Sequence, residues 1–251
     1  MSQLDHIKQN NPKQPIDYNK KLIIGIAGKK YCGKTTLSDL LVKKAEPIGL
    51  KIVQYAFGDA LKEEISRVYG IAKSDLYSQD GKLKEVIFEM DPTDPRYPQS
   101  GKYHSAKIHD DLYSCKAPIR TLLQWYGTEY RRKQDPDYWV NRTQETIGDL
   151  LENYDIVVLH DVRFPNEFRM VNSYIHHYHC RLHPYPGYQF AEDTHPSETA
   201  LDYTGGFDDE YYPKFGIFHL KLIANKIYKD ILRPFSISIN GETETLQKVS
   251  I

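Results

Sequence analysis

The sequence predicts an α/β protein of three layers: a central, mostly parallel sheet flanked by helices. Three observations predict it. An apolar, β-branched run, "KLIIGIA", leads through a glycine-bearing loop into "LSDLLVKK", whose leucines fall at helical spacing. A second run, Ile156 to Leu159, is continuously apolar, the mark of a strand covered on both faces. Strand-like and helix-like segments then alternate along the chain, as parallel sheets require.

Taken in order, "KLIIGIA" is the first strand, and Gly33 to about Lys44 the first helix, with Leu37, Leu40 and Leu41 on its apolar side. Lys51 to Phe57 reads as a second strand and Asp59 to Gly70 as a helix closed by its glycine. Residues 71 to about 114 turn polar and rich in Tyr and Pro, and are expected to form an insertion with little regular structure. In "APIRTLLQWYGTEYRRK", Ile119, Leu122, Leu123, Tyr126 and Tyr130 repeat as a core stripe. Arg120, Gln124, Gly127 or Thr128, and Arg131 take a different, polar face.

Asp135 and Pro136 are expected to cap the next helix. After the 156–159 strand, which stops at His160-Asp161, a helix over Pro165 to about Tyr174 and a strand near Tyr178 to Leu182 are expected. Residues 184–233 read as irregular, with a helical piece from about His219 to Leu232. "FSISIN" reads as a final strand, followed by an Asn240-Gly241 turn and a short helix.

Composition narrows the function. The 251 residues carry a formal net charge of -1, so no global basic field draws the molecule to nucleic acid. No apolar run of membrane-spanning length occurs. Residues 1–19 are polar and lack the apolar core of a signal peptide; they read as a flexible arm before a single domain, 20–251. Three cysteines, Cys32, Cys115 and Cys180, make no disulfide framework and suggest a reducing, cytoplasmic setting. Oligomeric state is left open, a homodimer included.

The loop between the first strand and helix carries the chemistry. Gly28-x4-Gly33-Lys34-Thr35 matches GxxxxGK[ST], the P-loop, in the strand–loop–helix setting its mechanism needs. Its glycines let backbone N–H groups turn inward around phosphate, and the helix N-terminus favours the anion. Gly28, Lys29, Cys32, Gly33, Lys34, Thr35 and Thr36 are therefore the expected ATP contacts. Lys34 would reach the β- and γ-phosphates and Thr35 would hold Mg²⁺ through its hydroxyl. Cys32, just before a helix N-terminus, could favour a thiolate, although a small filler residue fits the loop equally.

Such loops serve GTPases, motors and small-molecule kinases. "NKIYKD" at Asn225 places its acid too late for guanine recognition, and the central strand ends in a single acid, Asp161, where a motor needs an acidic pair. Asp161 lies at the carboxyl end of a strand, where α/β sheets bind ligands, and would orient Mg²⁺. Arg163 would neutralise charge on a transferring phosphoryl.

With these residues in place, the chain resembles the bacteriophage deoxynucleoside monophosphate kinases of the P-loop superfamily. The matching pieces are the glycine loop, "YAFGDALKEEI", "RTLLQWYGTE" with "YWV" after it, "DVRFPNE", "HPSE" and "INGETETL", in family order. The resemblance implies a lid and substrate-side insertions on the P-loop fold, and transfer of the ATP γ-phosphoryl to a deoxynucleoside monophosphate, in host cytoplasm if phage-encoded. It implies that Asp59 and Lys62 belong to the monophosphate site and that Arg120 grips the acceptor phosphate. Gly127 and Thr128 would approach the nucleotide beside Gln124, and Trp139 would lie by base or sugar. Asp161 would face both metal and substrate. Arg169 and Arg181 are candidate lid arginines, and Asn240 a candidate neighbour of adenine.

Two other patterns carry less. His176, His177, His179, Cys180 and His183 suggest zinc, but on a strand His177, His179 and Arg181 share one face and Cys180 takes the other. His195, Ser197 and Asp202 suggest a hydrolase triad without a nucleophile elbow. A kinase of another phosphorylated metabolite, of dephospho-coenzyme A or phosphomevalonate type, and an ATP-binding switch without acceptor remain alternatives.

Overall fold

The structure, a computed structural model, describes residues 16–91, 93, 107–109, 112–185, 195–214 and 216–240. Its elements are β1 (Leu22–Gly28), α1 (Lys34–Ala45), β2 (Ile52–Tyr55), α2 (Phe57–Tyr69), α3 (Lys73–Tyr77), β3 (Glu85–Met90), β4 (Lys107–His109) and β5 (Leu112–Pro118). They continue with α4 (Ile119–Gln124), α5 (Tyr138–Leu151), β6 (Ile156–Val162), α6 (Pro165–Asn172), β7 (His177–Leu182), α7 (Pro196–Thr199), β8 (Asp209–Tyr211), α8 (Gly216–Ile227) and α9 (Arg233–Asn240). The chain divides into two compact units, Met1–Ala56 with Thr143–Ile251, and Phe57–Arg142.

The first unit holds the α/β fold the sequence predicts. Its sheet has the order β2-β6-β1-β7-β8, and every pairing is parallel. β1 is central because it is apolar on both faces. Leu22, Ile24 and Ile26 point toward α1 and α8, joining Leu37, Leu41, Ile223 and Ala224 in one core. Ile23 and Ala27 are equally buried on the opposite face, where α6 packs against β1 and β7. Each fully buried Ile or Leu here contributes about 1.5–3 kcal/mol. The expected alternation in β7 holds: Tyr178, Cys180 and Leu182 enter the α1 side core, leaving His177, His179 and Arg181 on the other face.

The second unit is built around a three-stranded antiparallel sheet of order β3-β5-β4. This corrects the expectation of little regular structure over 71–114. β3 and β5 pair from Glu85↔Pro118 to Met90↔Tyr113, and β3 alternates, with Phe88 and Met90 buried and Ile87 exposed. The Pro-rich stretch between the strands masked that alternation in the sequence. Phe88, Met90, Cys115, Ile119, Leu122, Trp125 and Tyr126 share its core. The 119–132 helix keeps the predicted stripe, but from Trp125 to Arg132 it is a π-helix, a form that often marks functional sites.

Three further boundaries differ from expectation. β8 lies within the stretch read as irregular, a polar edge strand ordered by pairing with Cys180 to Leu182 of β7. α5 begins at Tyr138, after a turn in which Asp135 Oδ1 accepts from the Asp137 N–H at 2.9 Å. "FSISIN" is not a strand but α9, reached from α8 through a π turn at Tyr228–Leu232. Its alternation is a strand's, yet Phe235 joins the α1–α8 core and Ser236 Oγ donates to Ile48 O at 3.2 Å. Tertiary packing overrides local preference there. Of the expected N-terminal arm, Tyr18–Lys20 forms a short 3₁₀ turn capped by Asp17; residues 1–15 and 241–251, with Gly241 and most of "INGETETL", lie outside the described residues.

Candidate functional site

The glycine loop sits between β1 and α1, and its backbone explains its composition. Gly28 (φ 142°), Tyr31 (φ 64°) and Gly33 (φ 90°) all take positive φ, a conformation that glycine adopts at little cost. A Cβ on Gly28 would meet Leu182 O at 2.4 Å, so β7 passes too close for any side chain. Gly33 precedes the first residue of α1, and no side chain caps that helix. Its first-turn amides are thus left for a ligand.

Lys34 is buried, and its Nζ donates to Gly28 O at 2.7 Å and Lys29 O at 2.6 Å. Burial, then the charge of Arg163, pull its pKa down to about 8, against the opposing pull of Cys32, Glu198 and Asp161. Thr35 is exposed and Thr36 half-buried in the first turn of α1. Cys32 is buried, and desolvation raises its thiol pKa, which favours the filler reading over a thiolate.

β6 delivers the partners. Between Gly25↔Leu159 and Ala27↔Val162 its register gains a residue over β1, a bulge at His160-Asp161 that redirects side chains at the strand end. Asp161 is half-buried there and lies within electrostatic reach of Lys34. Arg163 follows directly. Its backbone N–H donates to Glu167 Oε2 at 2.7 Å, and its Nη1 donates to Ser197 O at 2.9 Å and to Glu198 Oε1. Gly28, Lys29, Arg163, Arg181, Glu198 and Asp202 line one open pocket of about 230 Å³.

Of the expected residues, Gly28, Lys29 and Arg163 line this pocket, while Asp161 and Arg163 both act on the charge of Lys34. Comparison with models of known protein families and with curated proteins finds no match. The site's own chemistry must carry the functional reading.

Sequence reasoning noted the acids beside this loop, Glu198 in "HPSE" and Asp202 in the triad pattern, without finding what they bind. Glu198 accepts from the Lys30 N–H at 2.8 Å as well as from Arg163, and Asp202 Oδ2 pairs with Lys29 Nζ at 3.0 Å. Asp202 is thereby engaged with the loop, while His195 Nδ1 accepts from the Ser197 N–H at 3.2 Å as the cap of α7. The hydrolase-triad reading loses its acid. Glu167 accepts from both Arg163 and Phe164 N–H groups; an acid three residues after a helix start was its available signal. Of the two candidate lid arginines, Arg181 lines the pocket, with Nη2 donating to Leu201 O. Arg169 is exposed on α6.

Asn240 does not sit in a turn after a strand. It ends α9, with Nδ2 donating to Ser236 Oγ at 3.4 Å, so the argument that placed it near adenine no longer holds. His179 is buried beside Asn172 Oδ1 at 3.1 Å, and among the described residues no three His, Cys, Asp or Glu side chains gather as a metal cluster would.

In the second unit, Lys62 Nζ binds Asp59 Oδ1 at 2.9 Å and lies 4.2 Å from the Tyr77 ring centroid. Arg120 Nη2 donates to Gln79 Oε1 at 2.9 Å. Gln124 and Thr128 are half-buried. Gly127 is buried, and a Cβ there would come within 3.0 Å of Leu61. Its carbonyl accepts the indole N–H of Trp139 at 2.8 Å. Trp139 is 2% exposed: it braces the π-helix from the core, which corrects the expectation of a ring lying by base or sugar.

Arg131 is held by Glu64, a carboxylate the sequence did not single out. Glu64 accepts from Tyr126 OH (2.7 Å), Tyr138 OH (2.6 Å) and Arg131 Nε (2.8 Å). Burial opposes ionisation of Glu64, but the hydroxyls of Tyr138 and Tyr126 and the charge of Arg131 outweigh it and hold its pKa below the ordinary value.

Proposed function

We propose that the protein is a Mg²⁺-ATP-dependent kinase that phosphorylates deoxynucleoside 5′-monophosphates to the diphosphates. The observation that carries this reading is the meeting, in one unit, of a phosphate loop, a buried Lys34, and the Asp161–Arg163 strand end. A glycine-bearing loop with positive φ at three positions, running into the N-terminus of α1, suits polyphosphate, because main-chain dipoles of that kind favour an anion.

Phosphoryl transfer asks little covalent chemistry of a protein and much positioning. Lys34 neutralises the β- and γ-phosphates, and Arg163 takes up charge as the γ-phosphoryl leaves ADP for an acceptor phosphate oxygen. Thr35 and Asp161 would hold Mg²⁺, a sparse protein set of the kind this cation accepts when phosphates complete its shell. Bound there, it would neutralise charge on the phosphates.

The second unit supports an acceptor. Arg120 and Lys62, with Gln124 nearby on the chain, offer cations and an amide of the sort that grips a phosphomonoester. The choice of a deoxynucleotide among acceptors rests on the resemblance of the short segments quoted above. Cytoplasmic location belongs to the same reading, which the free, buried state of all three cysteines supports.

The test is ADP formation from Mg²⁺-ATP with each deoxynucleoside monophosphate, its ribonucleotide counterpart, and no acceptor. Turnover only with deoxynucleotides is expected. ADP release that ignores the acceptor would show an ATPase or switch, and turnover only with another phosphorylated metabolite would reassign the acceptor.

A further inference from the structure

Glu198 touches both the phosphate loop's backbone and the arginine assigned to the transferring phosphoryl. Its side chain is 8% exposed. Oε2 accepts from the Lys30 N–H at 2.8 Å, and Oε1 accepts from Arg163 Nη1. The same Nη1 donates to Ser197 O, and the Arg163 backbone is fixed separately by Glu167. Arg163 is thus tethered at both ends, its guanidinium through α7 and its main chain through α6.

A tether of this kind has a physical purpose. An arginine side chain carries about 2 kcal/mol of rotamer entropy, and transition-state stabilisation requires donors aimed before the charge develops. Lys34 and Arg163 also repel one another, and Glu198 is a nearby countercharge to both. A neutral amide could accept one of the two hydrogen bonds but not balance the two cations. Asp202 makes a similar but more exposed contact with Lys29, at 31% and 43% side-chain exposure, where screening leaves it little weight.

We propose that Glu198 is a positioning residue, which splints Arg163 to the phosphate loop so that the guanidinium is already oriented when the phosphoryl moves. This rests on the kinase reading above. It predicts that Glu198 acts on rate through Arg163.

The experiment compares wild type, Glu198→Gln, Arg163→Ala and the double variant in the phosphoryl-transfer assay, with thermal unfolding read alongside. Glu198→Gln is expected to lower kcat by about 10- to 100-fold, the range seen for residues that orient a reacting group, with KM for ATP nearly unchanged. The double variant is expected to be no slower than Arg163→Ala alone. A wild-type kcat in Glu198→Gln, or losses that multiply in the double variant, overturn the proposal while wild-type turnover leaves the kinase reading standing.

A second readout needs no turnover. In ¹⁵N NMR the Arg163 side chain of the wild type should give a slowly exchanging guanidinium signal, lost in Glu198→Gln. A freely exchanging Arg163 in the wild type overturns the splint even if no acceptor is ever phosphorylated or the variant fails to fold.

Discussion

His179 lies with its ring against Gly25, its register partner on the neighbouring strand: a Cβ on Gly25 would stand 2.7 Å from ring carbon Cδ2. Phe168 stacks on the same ring at 4.6 Å and Phe207 meets it edge-on at 5.1 Å, so the imidazole has no direction in which to retreat. Gly25→Ala is expected to destabilise the protein by about 1–3 kcal/mol through overpacking. Urea unfolding checks it, and His179→Ser in the same chain should return much of the loss.

The same histidine makes stability depend on pH. Burial, then the charge of His177, depress the His179 pKa to about 3, while the unfolded chain titrates near 6.5. Between these values the unfolded state binds a proton that the folded state refuses. Stability is therefore full above about pH 6.5 and falls as pH drops toward 3, by up to about 1.4 kcal/mol per unit. Denaturant midpoints at pH 4, 5, 6 and 7 should show this slope, and His179→Asn should flatten it.

Lys34 runs the other way in function. With a pKa of about 8, it loses its charge as pH rises past 8, and a polyphosphate bound as proposed is expected to restore that charge. ADP binding near pH 8 is expected to take up about half a proton, seen as a dependence of calorimetric heat on buffer ionisation. kcat/KM for ATP should fall above pH 8. Lys34→Ala should abolish the proton uptake and cost about 10²–10³ in turnover while the fold is kept.

Glu64 holds the second unit's aromatic cluster together. Removing it takes the countercharge from Arg131, which keeps only its bonds to the Tyr126 hydroxyl, and leaves the hydroxyls of Tyr126 and Tyr138 without their acceptor. Glu64→Ala is expected to cost about 3–5 kcal/mol. Tyr138→Phe, which removes one donor and leaves no orphaned charge, should cost about 1 kcal/mol. Chemical denaturation of the two variants would reverse the assignment if their order were inverted.

The phosphate-loop half of the candidate site was legible because its signal is local. A glycine loop between an apolar run and a helix, or an acid at the end of a buried strand, is written in consecutive residues. The roles of Glu198, Asp202 and Glu64 were not legible, because each draws its meaning from a partner far along the chain. Trp139 and α9 show the opposite failure. The resemblance placed Trp139 of "YWV" by base or sugar and alternation made "FSISIN" a strand, while the packing buries Trp139 and makes the latter a helix. The antiparallel sheet of the second unit was hidden by the Pro- and Tyr-rich stretch between β3 and β5.

The strand order also sets an order of events during synthesis. β1 leaves the ribosome before both of its neighbours, β6 and β7: Leu22 waits for Ile156, and Ile23 for His177. All of Phe57–Arg142 is made in between, with contacts that are mostly its own. Loop closure makes the late pairings the slow ones, so the second unit has everything it needs to collapse while the phosphate loop's strand is still unpaired. Until its downstream neighbours emerge, "LIIGIA" is a bare apolar edge, and the nascent chain is most exposed to aggregation and to chaperone capture over that interval.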